Sequence, residues 1–428
     1  MSAPTGLWGR GPFRWVVSGE TLSLIGDSSF QIVLAWLVLI LSGSPATLAG
    51  VLVAAAIPRG ILLLVGGAVT DRWSPRTVML VCHLARGAAM ATLTASAATG
   101  RLQTWQFLAV AVGLGVADAF FWPASASILP SLVSTAQLPR ANAITAVGEQ
   151  VGGLVGPVLG GLLLAVTTPT AALAFNTLTF AVAAATIARA PACPRAAHGG
   201  TRPQPVRAMV RDLRDGVGQA VADSRIRIVL LLVSAATLSY SGLFAVGLPA
   251  LARTSPNGSV VLGLLVSAWG LGQLTGALLA SITGLPRRWG LLIIIMTFCE
   301  GAAFAVLGIA PTYLIAIPLL AVLGVGVAYT TDVALPAFVQ GQTPAHLLGR
   351  VNSVINLPRV ALEPASIAGM GLLVQVDLRL TFVVAALPML LVGIALGLSP
   401  TARRLQTPHV ERPREGRAGG GRLPDASP

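Results

Sequence analysis

FWPASASILPSLVSTAQLPRANAITAVGEQVGGLVGPVLGG, residues 121–161, closes one apolar segment, crosses a short polar connection containing Arg140, and opens a second apolar segment near Ala143. Inside that second segment glycine recurs every fourth residue, at Gly148, Gly152, Gly156 and Gly160. On a helix, positions four apart lie nearly one above the other. The pattern therefore predicts a stripe without side chains, against which another helix packs closely. Pro157 follows Gly156 and removes the hydrogen bond that would reach the carbonyl of Gly153, so a bend is expected there. A soluble helix with this many glycines would be marginal, because each costs about 1 kcal/mol relative to alanine. In a bilayer the backbone has no water to bond with, and such a helix persists.

The rest of the chain agrees with a membrane setting. Of its 428 residues, 54% are hydrophobic and 10% charged, whereas a soluble domain carries about 25% charged residues. Apolar runs of about 20 residues recur along nearly the whole length, the signature of membrane-spanning helices. Every basic residue other than histidine is arginine. The absence of lysine excludes a Walker-type phosphate loop and Schiff bases of retinal or pyridoxal phosphate, all of which need a lysine amine. Any driving force must then come from a gradient or a partner chain. Cys82, Cys193 and Cys299 are scattered, which indicates neither a disulfide framework nor a metal site. No cofactor is expected, and hydrolase signatures such as H-E-x-x-H and G-x-S-x-G are absent.

Twelve helices are predicted, at Trp15–Leu41, Ala46–Val69, Thr77–Ala98, Thr104–Ala126, Ala143–Val166, Pro169–Ala188, Arg227–Leu251, Gly258–Thr283, Trp289–Ile309, Thr312–Pro336, Val351–Val374 and Leu378–Leu398. They divide into an N-terminal six-helix bundle over 15–188 and a C-terminal one over 227–398. Residues 1–14 form a short basic N-terminus. Residues 189–226 form a linker whose second half places Val206, Val210, Leu213 and Val217 at helical spacing among arginines, as an amphipathic helix on a membrane surface would. The tail 399–428 is rich in Arg, Pro and Gly and is expected to be disordered.

The arginines set the orientation. With the N-terminus inside, the inner segments hold Arg10, Arg14, Arg72, Arg76, Arg140, the cluster from Arg189 to Arg227, Arg287, Arg288, Arg350 and the tail arginines. The outer loops hold Arg101, Arg253 and Arg379. This positive-inside asymmetry places both termini in the cytoplasm of a cell-membrane protein. It also accounts for the net charge of +13 without nucleic acid. The halves repeat as well: Arg140-Ala-Asn-Ala-Ile returns as Arg350-Val-Asn-Ser-Val, each copy between the fourth and fifth helices of its half. Two parallel repeats fit a binding site at their interface, opened alternately to each side.

Several motifs carry a family resemblance. Gly152-x-x-x-Gly156-Pro157-x-x-Gly160-Gly161 resembles the fifth-helix antiporter motif of drug:proton exporters in the major facilitator superfamily. The connection Gly66-Gly67-Ala-Val-Thr-Asp71-Arg72-Trp73-Ser74-Pro75-Arg76 is similar to that superfamily's signature loop, with Ser74 and Pro75 as departures. The resemblance implies a gating role for Gly67, Asp71, Arg72 and Arg76, and Asp71 is expected to cap a neighbouring helix N-terminus and pair with an arginine. Ser23-Leu-Ile-Gly26-Asp27, Ile57-Pro58-Arg59 and Pro123…Leu129-Pro130…Leu138…Arg140-Ala-Asn142 look like the branch containing enterobactin exporters and macrolide-efflux proteins. It implies a secondary-active exporter of amphipathic small molecules, monomeric among its lipids and driven by proton entry. A facilitator, an importer or a lysophospholipid translocator of the same fold is the second reading, and a non-transporting sensor the third.

Glu20, Asp27, Asp118, Glu149, Glu300, Asp332 and Glu363 fall within predicted helices, as do Arg59, Arg86 and Arg359. A charge in mid-membrane costs about 2.5–3.5 kcal/mol or more, so each wants a partner, water or a proton. Arg359 and Glu363, four apart, are expected to neutralise each other. Glu20 and Asp332 are expected to reach the interface, and His83, beside Cys82, to be interfacial. Asp27, Asp118, Glu149 and Glu300 are the candidates for proton exchange or for pairing with a cationic substrate. Arg59 or Arg86 is a candidate partner for Asp118. Asp27 either couples protons beside the substrate path or merely pairs with Arg59 or caps local backbone.

Overall fold

The computed structural model describes residues 11–191, 224–284, 288–336, 339 and 348–403. The first half contains α1 (Gly11–Ser42), α2 (Pro45–Arg72), α3 (Pro75–Ala98), α4 (Thr104–Leu132), α5 (Leu138–Val166) and α6 (Pro169–Ala188). In the second half, α7 runs from Ser224 to Ala252, with a π-helical stretch at Leu243–Gly247. It is followed by α8 (Gly258–Thr283), α9 (Trp289–Ile309) and α10 (Tyr313–Val327, continued as π-helix over Ala328–Ala334). α11 (Leu348–Val376) and α12 (Leu378–Leu398) complete it. Twelve helices among the described residues are long and apolar enough to cross a membrane. Large apolar side chains such as Ile61, Val322, Leu391 and Leu398 face outward, as lipid contact requires and water would oppose.

Helix ends follow local chemistry. Pro45, Pro75 and Pro169 each occupy the first helical position, where the missing N–H costs nothing. Ser44 and Thr168 cap α2 and α6 through their side chains. The main boundary differences from the sequence reading lie at α1, which starts at Gly11, α4, which runs on to Leu132, and α5, which starts at Leu138. Pro139 sits in the first turn of α5, where proline is tolerated. Pro400–Arg403 is a helical turn with Ala402 buried, at the start of the segment expected to be disordered. The expected amphipathic helix of the linker and the tail beyond Arg403 lie outside the described residues.

The two halves use one packing plan twice. In the first, α1 packs on α5, α2 on α4 and α3 on α6. In the second, α7 packs on α11, α8 on α10 and α9 on α12, the same pairs six helices later. The halves meet through α5 against α8 and α2 against α11, again one contact repeated. One apolar cluster, including Val38, Leu48, Leu251 and Leu262, is shared by both halves at the end where α1 gives way to α2. At the opposite end, which carries the described chain ends, each half has its own cluster, around Phe13, Met79 and Leu132 in the first and Ile228, Trp289 and Leu396 in the second.

The glycine stripe of α5 is buried against α1. A Cβ on Gly152 would lie 2.9 Å from Leu24 Cβ, and one on Gly156 would lie 2.5 Å from Ser28 Cβ and 2.7 Å from the Ile25 carbonyl oxygen. α5 has a second small-residue face toward α8. There a Cβ on Gly263 would meet the Pro157 carbonyl oxygen at 2.5 Å, and one on Gly270 the Gly153 carbonyl oxygen at 3.2 Å. The Gly153 carbonyl is the acceptor that Pro157 leaves free, and α8 reaches α5 beside it. Ser267 donates to the Leu154 carbonyl at 2.7 Å.

Candidate functional site

In the first half, Glu20 and Asp27 lie two turns apart on α1, and His83 and Arg86 one turn apart on α3. His83 Nε2 and Glu20 Oε1 share a hydrogen bond at 2.8 Å. Arg86 of α3 pairs with Asp118 of α4. The Arg86 guanidinium lies 4.2 Å from the centroid of the Phe121 ring, and the His83 ring meets the same ring edge-on at 5.1 Å. Both side chains are buried, His83 at 0% and Arg86 at 3% exposure. Arg86 Nε and His83 Nδ1 have no partner among the described groups, which leaves two donor or acceptor positions for water.

A cavity of about 390 Å³ lies between the halves, lined by Asp27, Arg59, Arg86, Asp118, Phe244 and Glu363. Arg59 Nη2 of α2 donates to Glu363 Oε1 of α11 across the interface at 2.8 Å. Among the described residues Asp27 makes no hydrogen bond or ion pair, although it lines the cavity with Arg86.

A second cavity of about 390 Å³ lies within the second half and shares Ser241, Phe244 and Glu363 with the first. Tyr240, Trp269, Glu300, Asp332 and Arg359 also line it. Tyr240 donates from its hydroxyl to Glu300 Oε2 at 3.0 Å, and Gln273 donates to Asp332 at 3.4 Å. Both π-helical stretches border this cavity. The one in α7 has a visible cause. Ser366 of α11 donates from its hydroxyl to the Leu238 carbonyl at 2.8 Å and accepts from the Gly242 N–H at 2.9 Å. It thus inserts into a backbone bond that an α-helix would make directly, and the π-helical stretch begins at the next residue.

Three expectations are corrected. Glu363 pairs with Arg59 and not with Arg359, because α11 lies against α2 and turns Glu363 toward the other half. Glu20, expected to stand free at the interface, is engaged by His83, and His83 is fully buried within the protein. Asp27 and Arg59 line one cavity, yet Arg59 is committed to Glu363.

Of the two partners considered for Asp118, the structure has Arg86. Glu149 is exposed and lines a smaller cavity of about 240 Å³ with Glu20, Asn142 and Thr145, apart from Asp27. In the signature-like connection, Gly67 lies within α2, and the side chains of Asp71 and Arg72 lie outside the described residues. Arg76 caps the end of α6, donating to the Ile187 and Ala188 carbonyls at 3.2 and 2.6 Å, where a cation suits the helix dipole.

Sequence reading missed Tyr240, Trp269 and Ser366. Tyr240 carried a signal: Ser239-Tyr240-Ser241 is a polar triplet inside an apolar run, in a chain with three tyrosines.

A family model described as a transmembrane secretion effector matches residues 7–408. The chain belongs to the major facilitator superfamily. Within it the protein is similar to the enterobactin exporters of Escherichia coli O139:H28 and Escherichia fergusonii, each 28% identical over 323 residues, covering 72% of this chain and 73% of the relative. Its fold is that of the nucleoside transporter NupG, with a TM-score of 0.67 at 13% identity over 92% of this chain and 100% of that one. It is also that of an auto-inhibited POT family peptide transporter, with a TM-score of 0.68 at 16% identity over 94% and 98%. This major facilitator protein is a multi-pass membrane transporter of small molecules, not an enzyme.

Proposed function

We propose that this transporter is a secondary-active exporter of amphipathic small molecules, coupled to proton entry and working by alternating access, with both termini in the cytoplasm. The observation that carries the reading is Asp27: a carboxyl group without an ion-pair partner among the described residues, lining a cavity between two repeated halves. A carboxyl group in such a place needs a proton or a cation, and the cavity that exposes it changes sides when the halves rock. The buried antiporter-like stripe on α5 and the similarity to enterobactin exporters support export as the direction.

The test is flux in proteoliposomes with and without an imposed pH difference. The panel spans catecholate, macrocyclic and quaternary-ammonium amphiphiles. Uphill accumulation that requires the pH difference is the expected result. Downhill flux alone would make the protein a facilitator, and no flux for any member would sink the exporter reading.

A further inference from the structure

We propose that the cavity inside the second half, walled by Tyr240, Phe244, Trp269 and Glu300, is a binding site for an organic monocation with a broad apolar body. The proposal deepens the exporter reading by naming a substrate class for it, but its test does not depend on transport.

The walls combine aromatic rings with carboxylates. Tyr240 lies 5.2 Å from Trp269 and 5.9 Å from Phe244, ring centroid to centroid, and Phe244 lies 5.1 Å from Trp269. Phe304 backs Tyr240 edge-on at 4.9 Å. Such rings attract a cation through their faces and an apolar body through area. Glu300 is 4% exposed, lines the same cavity, and among the described residues has the Tyr240 hydroxyl as its hydrogen-bond partner and no cation in ion-pair range. A carboxylate so placed is costly without a counter-charge.

The charges in the wall balance at one missing cation. Glu363 is taken by Arg59 of the other half. That leaves Glu300 and Asp332 against Arg359 among the described lining residues. The volume of about 390 Å³ falls within the range of roughly 300–1,000 Å³ typical of small-molecule pockets. The π-helical stretches of α7 and α10, which border the cavity, are features that concentrate at functional sites.

The test compares two probes of nearly equal size and opposite charge, tetraphenylphosphonium and tetraphenylborate, by equilibrium dialysis against the purified full-length protein in detergent. Tetraphenylphosphonium should bind saturably and tetraphenylborate at least about tenfold more weakly. Glu300→Gln, which can still accept from Tyr240, should weaken phosphonium binding about tenfold or more, and Trp269→Ala should do likewise, in line with a lost ion pair or cation–π contact. Asp377→Asn removes a carboxylate that caps α12 away from the cavity and should leave binding within about twofold of the unaltered protein. Thermal melting of each variant separates lost binding from lost fold. Equal binding of the two probes, unchanged affinity in a folded Glu300→Gln, or no saturable phosphonium binding would overturn the proposal. Cation binding without pH-driven flux of any substrate would instead count against the exporter reading alone.

Discussion

Arg86 sits at 3% exposure between Asp118 and the Phe121 ring, so its charge is held by two contacts and little water. Removing one member of such a pair leaves the other uncompensated, at a cost on the order of 3–5 kcal/mol. Arg86→Gln should therefore lower the melting temperature in detergent clearly, and Asp118→Asn added to it should restore part of the loss. A double variant no more stable than Arg86→Gln would show that the pair is not what holds Arg86. Asp27 is the contrasting case. It lines the cavity without a partner among the described residues, so Asp27→Asn should fold and bind substrate normally but lose accumulation driven by a pH difference. If that variant still concentrates substrate at the unaltered rate, Asp27 is not the coupling acid. At this scale the sequence revealed which charges are intramembrane but not who holds them. Arg59 and Glu363 are 304 positions apart, and the nearer candidate on the same helix, Arg359, loses to a partner brought in by tertiary packing. The same holds for His83, whose glutamate lies 63 positions away.

α5 serves two neighbours, and its glycines divide between them. Gly156→Leu should abolish transport while the protein remains in the membrane, because its side chain would collide with Ser28 and the Ile25 carbonyl of α1 and overpacking costs roughly 1–3 kcal/mol. Gly153→Ala should be tolerated, since a Cβ there meets nothing within 4 Å. Surface labelling and flux measured on both variants check this, and full activity in Gly156→Leu would refute close packing on α1. The stripe was legible because a four-residue glycine period has a direct geometric meaning. The π-helical stretch of α7 was not, because its cause is the hydroxyl of Ser366 on another helix. Ser366→Ala should let the Gly242 N–H return to the Leu238 carbonyl. Slower hydrogen exchange at Gly242 is the expected readout, and unchanged exchange would mean the distortion has another origin. Helix bounds at Pro169–Ala188, Gly258–Thr283, Trp289–Ile309 and Leu378–Leu398 coincide with the sequence reading, because Pro, Gly or polar residues sharply bracket those apolar runs.

For the molecule as a whole, two seams join the halves, and Arg59–Glu363 crosses one of them. Reversing either charge alone, Arg59→Glu or Glu363→Arg, should slow transport, and the double reversal should recover it; failure of the double variant to exceed both single ones would show that the pair does not act as a unit. Orientation is checked separately. A cysteine at Gly200 or Val410 should resist an impermeant reagent applied to intact cells, and one at Asn257 should react, since the arginine-rich segments are expected inside. The α5–α8 seam, from Gly153 to Gly161, also has a mechanical consequence. It sits off-centre on a helix of 29 residues. At 1.5 Å per residue, the arm from the seam's middle at Pro157 back to Leu138 is about 28 Å and the arm onward to Val166 about 14 Å. A rigid-body rotation of about 15° about that point would move the long arm's tip by roughly 7 Å and the short arm's by roughly 4 Å. Such a fulcrum would be geared: the mouth on the side of the chain ends would swing about twice as far as the opposite one, so one small rotation would give two openings of unequal width.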